Sequence, residues 1–119
     1  MADYSPLYLP GHAITGTASA TITGGQLLAV TGDGQVGPAT DGANAVVGVA
    51  AFDAGPGAQI TYYARGAVHE TTTAGAVTAG DLVSAGADGT VDADGGSTPT
   101  FGVFLVSAAS GEKALWMEC

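Results

Sequence analysis

The chain has 119 residues, among them 20 glycines, 11 acidic side chains and only two basic ones, Arg65 and Lys113. That length fits one domain, and a formal net charge of −9 excludes a nucleic-acid binder, because affinity for phosphate backbones comes from Lys and Arg displacing counterions. The same balance argues against an anionic membrane surface. No apolar run approaches the ~18 residues of a spanning helix. The N-terminus lacks a basic stretch ahead of an apolar one, so the chain reads as soluble and made in the cytoplasm. Cys119 is the single cysteine, which leaves no intrachain disulfide.

Residues 1–13 read as an extended N-terminal arm and 14–119 as one β-domain. In the arm, Tyr4, Leu7, Tyr8 and Leu9 are spaced by Pro6 and Pro10, a pattern that bars a helix and makes a poor central strand. Such a segment either folds back over its own barrel or docks on a partner by adding backbone hydrogen bonds there.

Beyond the arm the pattern is β. Ile14 to Thr23 alternates strictly, with Ile14, Gly16, Ala18, Ala20 and Ile22 on one face and Thr15, Thr17, Ser19, Thr21 and Thr23 on the other; period two with β-branched residues predicts a half-buried strand. A short apolar run from Gln26 to Val30 precedes Asp33-Gly34, a hairpin turn signal. Ala45 to Phe52 is nearly all apolar, as a strand covered on both faces requires, and Gly55-Pro56-Gly57 ends it. Ile60 to Glu70 alternates again, placing Ile60, Tyr62, Ala64 and Val68 on one side and Tyr63, Arg65 and His69 on the other. A short turn of helix fits Thr71 to Ala76. Val77 to Val83, Phe101 to Ala108 and Ala114 to Met117 bring the count to about eight short strands. The fold class is therefore all-β, a small barrel or sandwich.

Residues 22–36 also align with 77–91 at a constant offset of 55: Thr23, Gly25, Leu27, Asp33, Gly34 and Val36 match Thr78, Gly80, Leu82, Asp88, Gly89 and Val91. Downstream, Asp41-Gly42 and Asp94-Gly95 lead into Val47-Gly48-Val49 and Phe101-Gly102-Val103. Two such units could pair into one closed or sandwiched β-structure, which removes exposed strand edges.

Catalytic chemistry is not legible. Gly32-Asp33-Gly34-Gln35-Val36-Gly37 satisfies the G-x-G-x-x-G string, but Pro38 follows and no helix opens there to receive a pyrophosphate. Asp88, Asp92 and Asp94 lie close together, yet Thr90 takes one ligand position of a calcium loop and no terminal glutamate follows. His69-Glu70 starts an H-E-x-x-H motif that Thr73 breaks, and His12 stands far off, so no zinc set forms. None of the serines sits in a G-x-S-x-G elbow. The sequence therefore assigns no catalytic, cofactor-binding or metal-binding residue.

The order of short motifs resembles the capsid cement, or head decoration, proteins of tailed bacteriophages. The residues that carry the resemblance are Thr23-Gly24-Gly25-Gln26-Leu27-Leu28, the Gly-Asp-Gly turn, Val46-Val47-Gly48-Val49-Ala50, the strand at 57–62, Ala64-Arg65-Gly66-Ala67-Val68 and Val77-Thr78-Ala79-Gly80-Asp81-Leu82-Val83. The resemblance implies a β-rich virion protein on the outer face of the capsid. It implies a homotrimer that clamps major capsid protein subunits, with no cofactor and no enzymatic activity. Tyr4, Pro6, Leu7, Tyr8, Leu9 and Pro10 are then the candidate capsid-docking arm. Phe101, Phe104, Trp116, Tyr62 and Tyr63 are candidates for core or intersubunit burial, with plain core the stronger reading for each. The alternative is a head-fibre or tail-associated module that binds a receptor or glycan; it calls for a surface cluster of aromatic and amide side chains.

Overall fold

The computed structural model describes residues 12–93 and 99–119. Ten strands are found there: β1 (Ala13–Ala18), β2 (Leu27–Gly32), β3 (Gln35–Pro38), β4 (Val46–Ala50), β5 (Gln59–Tyr63), β6 (Val68–Thr72), β7 (Leu82–Ala85), β8 (Val91–Ala93), β9 (Gly102–Phe104) and β10 (Lys113–Glu118). A single 3-10 turn, Ala87–Gly89, joins β7 to β8. The all-β reading holds.

The first five strands close a barrel in the order β1-β3-β2-β4-β5, in which β1 pairs antiparallel with β5 and parallel with β3. The second five run in the order β6-β10-β9-β7-β8, and a parallel bridge between Thr73 and Val91 links the two ends. That bridge stands where Ala18 pairs with Val36 in the first unit, so both halves of the chain follow one circuit. Closure of the first barrel removes its strand edges.

The repeat is thus larger than the turn-centred match in the sequence, because it runs through all ten strands. Its two halves form a closed barrel and a five-stranded sheet that share one apolar cluster. Hydrogen bonds repeat with it. Thr23 N–H donates to Gln26 Oε1 at 2.8 Å, and Thr78 N–H donates to Asp81 Oδ2 at 2.9 Å. Ile22 and Ala54 exchange backbone hydrogen bonds, as do Val77 and Ala108. The offset drops from 55 to 54 between Val36 and Gly48, whose equivalents are Val91 and Gly102.

Several strand boundaries differ from the sequence reading. β1 ends at Ala18, and Ile22 keeps only an isolated bridge to Ala54. The run from Ile60 to Glu70 is two strands, parted at Gly66, whose φ of +106° bends the chain in a way a side chain would resist. The bend also reverses the phase: Val68 is 53% exposed, whereas His69 and Thr71 are buried. Residues 77–83 divide at a turn around Gly80 (φ +92°), and β9 stops at Phe104 while Ala108 forms a separate bridge. No helix forms over 71–76; β6 continues to Thr72 instead.

Two apolar clusters make the core. Ala18, Ile22, Leu28, Val36, Ala50, Ile60 and Tyr62 fill the first barrel. The larger cluster combines Val77, Val83, Val91, Phe104, Ala114 and Trp116 of the second unit with Leu27, Ala29, Ala39, Val46 and Val49 of the first. The outer face of the first barrel and the interior of the second therefore form one continuous core.

Candidate functional site

The residues of the proposed arm, Tyr4, Pro6, Leu7, Tyr8, Leu9 and Pro10, lie outside the described residues. Of the aromatic candidates, Tyr62, Phe101, Phe104 and Trp116 are core, while Tyr63 is 43% exposed. Phe101 also lies beneath the Arg65 guanidinium, 5.9 Å from its ring centroid, a cation–π contact beside the junction of the two units.

The glycine-rich string at 32–37 spans the β2–β3 hairpin rather than the entry to a helix. Asp88 sits on the 3-10 turn in the left-handed region (φ 54°), and Asp92 Oδ1 accepts the N–H of Ala93 at 2.9 Å; Asp94 lies outside the described residues. Among the described residues no three His, Cys, Asp or Glu side chains converge as a metal ligand set. Nor is any helix there long and apolar enough to cross a membrane. Cys119 is exposed and donates its N–H to the Phe101 carbonyl at 2.8 Å.

A polar cavity of about 340 Å³ opens where the units meet. Gln26 reaches it from the first unit, and Glu70, Asp88 and Lys113 from the second, with threonines between them. Gln26 is already committed: its Nε2 donates to the Asp88 carbonyl at 2.9 Å and its Oε1 accepts from Thr23. No aromatic side chain lines the cavity, so it offers no stacking face to a sugar ring.

Sequence reasoning missed a buried pair. His69 Nε2–H donates to Glu118 Oε1 at 3.1 Å, both side chains being almost wholly enclosed. The Trp116 ring lies tilted at 47° against His69, with ring centroids 5.2 Å apart, and its Nε1–H donates to Thr71 Oγ1 at 3.0 Å. The pair belongs to the barrel interior rather than to a cleft, and 49 residues separate its members, so no local motif announces it.

The exposed large apolar side chains are Val30, Phe52 and Tyr63 on the first unit and Val68, Leu82, Leu105, Val106 and Met117 on the second.

No curated protein matches the sequence closely enough to count as a relative. Among solved structures, the fold is similar to that in the crystal structure of the head fiber gp8.5 N base in bacteriophage phi29. The TM-score is 0.73 at 24% identity, over 91% of this chain and 93% of that one. At that identity the likeness shows the fold alone. The profile of the phage cement proteins matches residues 9–118, and with nearly the whole length matched, this chain belongs to the phage cement protein family, structural proteins associated with the phage head.

Proposed function

We propose that the chain is a capsid decoration protein that binds the outer surface of a phage head as a homotrimer. There it clamps neighbouring major capsid protein subunits and stabilises the shell, without catalysing a reaction. The family match over residues 9–118 carries this reading. A closed barrel packed on a second five-stranded sheet supports it, because a preformed surface loses little conformational entropy on docking. Many copies on one shell add up weak contacts. Two basic residues in 119 suit a surface that faces away from DNA. The segment holding Tyr4, Pro6, Leu7, Tyr8, Leu9 and Pro10 supplies the docking arm, in which aromatic side chains give anchoring area at low entropy cost.

The likeness to a head-fiber base favours the second reading, a head-fibre or tail-associated module that binds a receptor or glycan. Against it stands the cavity, which has no aromatic lining and whose amide, Gln26, is already bonded.

The test is co-sedimentation with expanded heads that lack the protein. Binding is expected to be saturable and stoichiometric and to raise the temperature at which heads rupture. Deleting residues 1–10 is expected to weaken binding by about tenfold or more while the β-structure stays folded. No co-sedimentation overturns the decoration role; unchanged affinity of the shortened chain overturns the docking arm alone.

A further inference from the structure

We propose that a row of apolar side chains across the second unit, Val68, Met117, Val103 and Leu82, is a self-association surface. Its occupant is the first unit of a second copy of this chain, held head to tail by the contact that already joins the two units within one molecule. The inference rests on the homotrimer in the preceding reading and gives that trimer its surface.

The row is read from strand register. Val68 pairs with Met117, Met117 with Val103, and Val103 with Leu82. The first unit has the same row in the same register: Ala13 with Tyr63, Tyr63 with Val49, and Val49 with Leu27. Leu27 and Val49 are 0% and 3% exposed because they face the second unit, in one cluster with Ala85 and Phe101. Ala13 and Tyr63, at the other end of the row, stay exposed, so the contact is centred on Leu27 and Val49 and on their counterparts Leu82 and Val103. Leu82, the equivalent of Leu27 and the same residue type, is 51% exposed. Identical leucines at identical places in one fold thus differ only in whether a neighbouring unit covers them.

The receiving side shows the same asymmetry. In the second unit, Gly89 N–H donates to the Ala39 carbonyl at 2.8 Å, and the Ala85 carbonyl accepts Gly42 N–H at 3.0 Å. A Cβ on Gly89 would stand 2.9 Å from Cβ of Gln26, so this turn is pressed against the first unit. Its equivalent in the first unit, 30–34, is open: Val30 is 50% exposed and a Cβ on Gly34 would meet nothing within 4 Å. One molecule therefore presents an uncovered row on its second unit and an unused receiving turn on its first. A contact between unlike surfaces propagates, and it ends only when rotation closes a ring; three copies closing in this way make the trimer. Three chains carry −27, three times −9, and a row without a charged side chain supplies apolar burial against that repulsion.

The experiment is sedimentation equilibrium of the full chain, of Leu82→Asp, of Val30→Asp and of the two variants mixed, with head co-sedimentation on the same samples. Wild type is expected to be trimeric, and each variant at least about tenfold weaker in self-association, with an unchanged circular dichroism spectrum because both side chains are exposed. The mixture is expected to give heterodimers and nothing larger, since Leu82→Asp keeps a good receiving turn and Val30→Asp keeps a good row. Trimers in either variant overturn the proposed surface and leave the trimer standing. A variant that stays trimeric but no longer binds heads gives the face to the capsid instead, and a monomeric wild type that binds heads removes the self-association while sparing the decoration role.

Discussion

Glu118 has one carboxylate oxygen, Oε1, bonded to His69, while Oε2 is buried and accepts no hydrogen bond from the described residues. A buried pair of this kind gains little net stability, since desolvation of both groups offsets their attraction, yet loss of one partner strands the other charge. The repeat provides its own control. Ile14 occupies the place of His69, and Ala64 that of Glu118: Ile14 pairs with Tyr62 as His69 pairs with Trp116, and Ala64 N–H donates to His12 as Glu118 N–H donates to Ala67. His69→Ala is therefore expected to lower unfolding free energy by about 3–5 kcal/mol. The double variant His69→Ile with Glu118→Ala restores the first unit's solution and is expected to recover most of that loss, as chemical denaturation would show. A double variant no more stable than His69→Ala means that the pair is required by the surrounding packing rather than tolerated by it.

The β4–β5 and β9–β10 pairings both depend on a glycine. A Cβ at Gly48 would collide with the backbone oxygen of Tyr63, and one at Gly102 with that of Met117. Backbone oxygens cannot swing aside as a long side chain can, so Gly48→Ala and Gly102→Ala are each expected to cost about 3 kcal/mol, seen as a fall in melting temperature; an unchanged melt would show that the strands part without penalty. Both glycines lie in Val-Gly-Val and Phe-Gly-Val strings that the sequence displays. The turn residues Gly25, Gly34, Gly80 and Gly89, all at positive φ, carry much of the visible repeat for the same backbone reason. Strand interiors hid it. The first barrel places Ala50 and Ile60 where the second places Phe104 and Ala114, all four buried, so bulk is exchanged across the barrel rather than kept position by position. Alternation likewise put Ile60 and Tyr62 on one face, which is the buried one, but missed the reversal after Gly66, because a single backbone bend resets the phase without changing residue types. The opposite fates of Leu27 and Leu82 could not be read from two identical leucines, since burial there is set by how the units pack.

The two units do not share their cores evenly. The first barrel has an interior of its own, in which Leu28, Ile60 and Tyr62 pack with Ala18, Ile22, Val36 and Ala50. The second has its interior continuous with Leu27, Ala29, Ala39, Val46 and Val49, which the first barrel supplies from outside. Stability should therefore run in one direction, as native-state hydrogen exchange resolves strand by strand. Trp116→Ala removes a wholly buried side chain at a cost of about 3–5 kcal/mol. It is expected to open β6 to β10 while amides of β1 to β5 keep their protection. Ile60→Ala removes bulk from the first interior, at about 2–5 kcal/mol, and is expected to weaken protection in both units, because a loosened first barrel no longer holds Leu27 and Val49 against the second. Equal loss in both units from Trp116→Ala would mean that the chain opens as one piece. The predicted asymmetry leaves the first barrel folded on its own terms and makes the second the unit that leans on a neighbour.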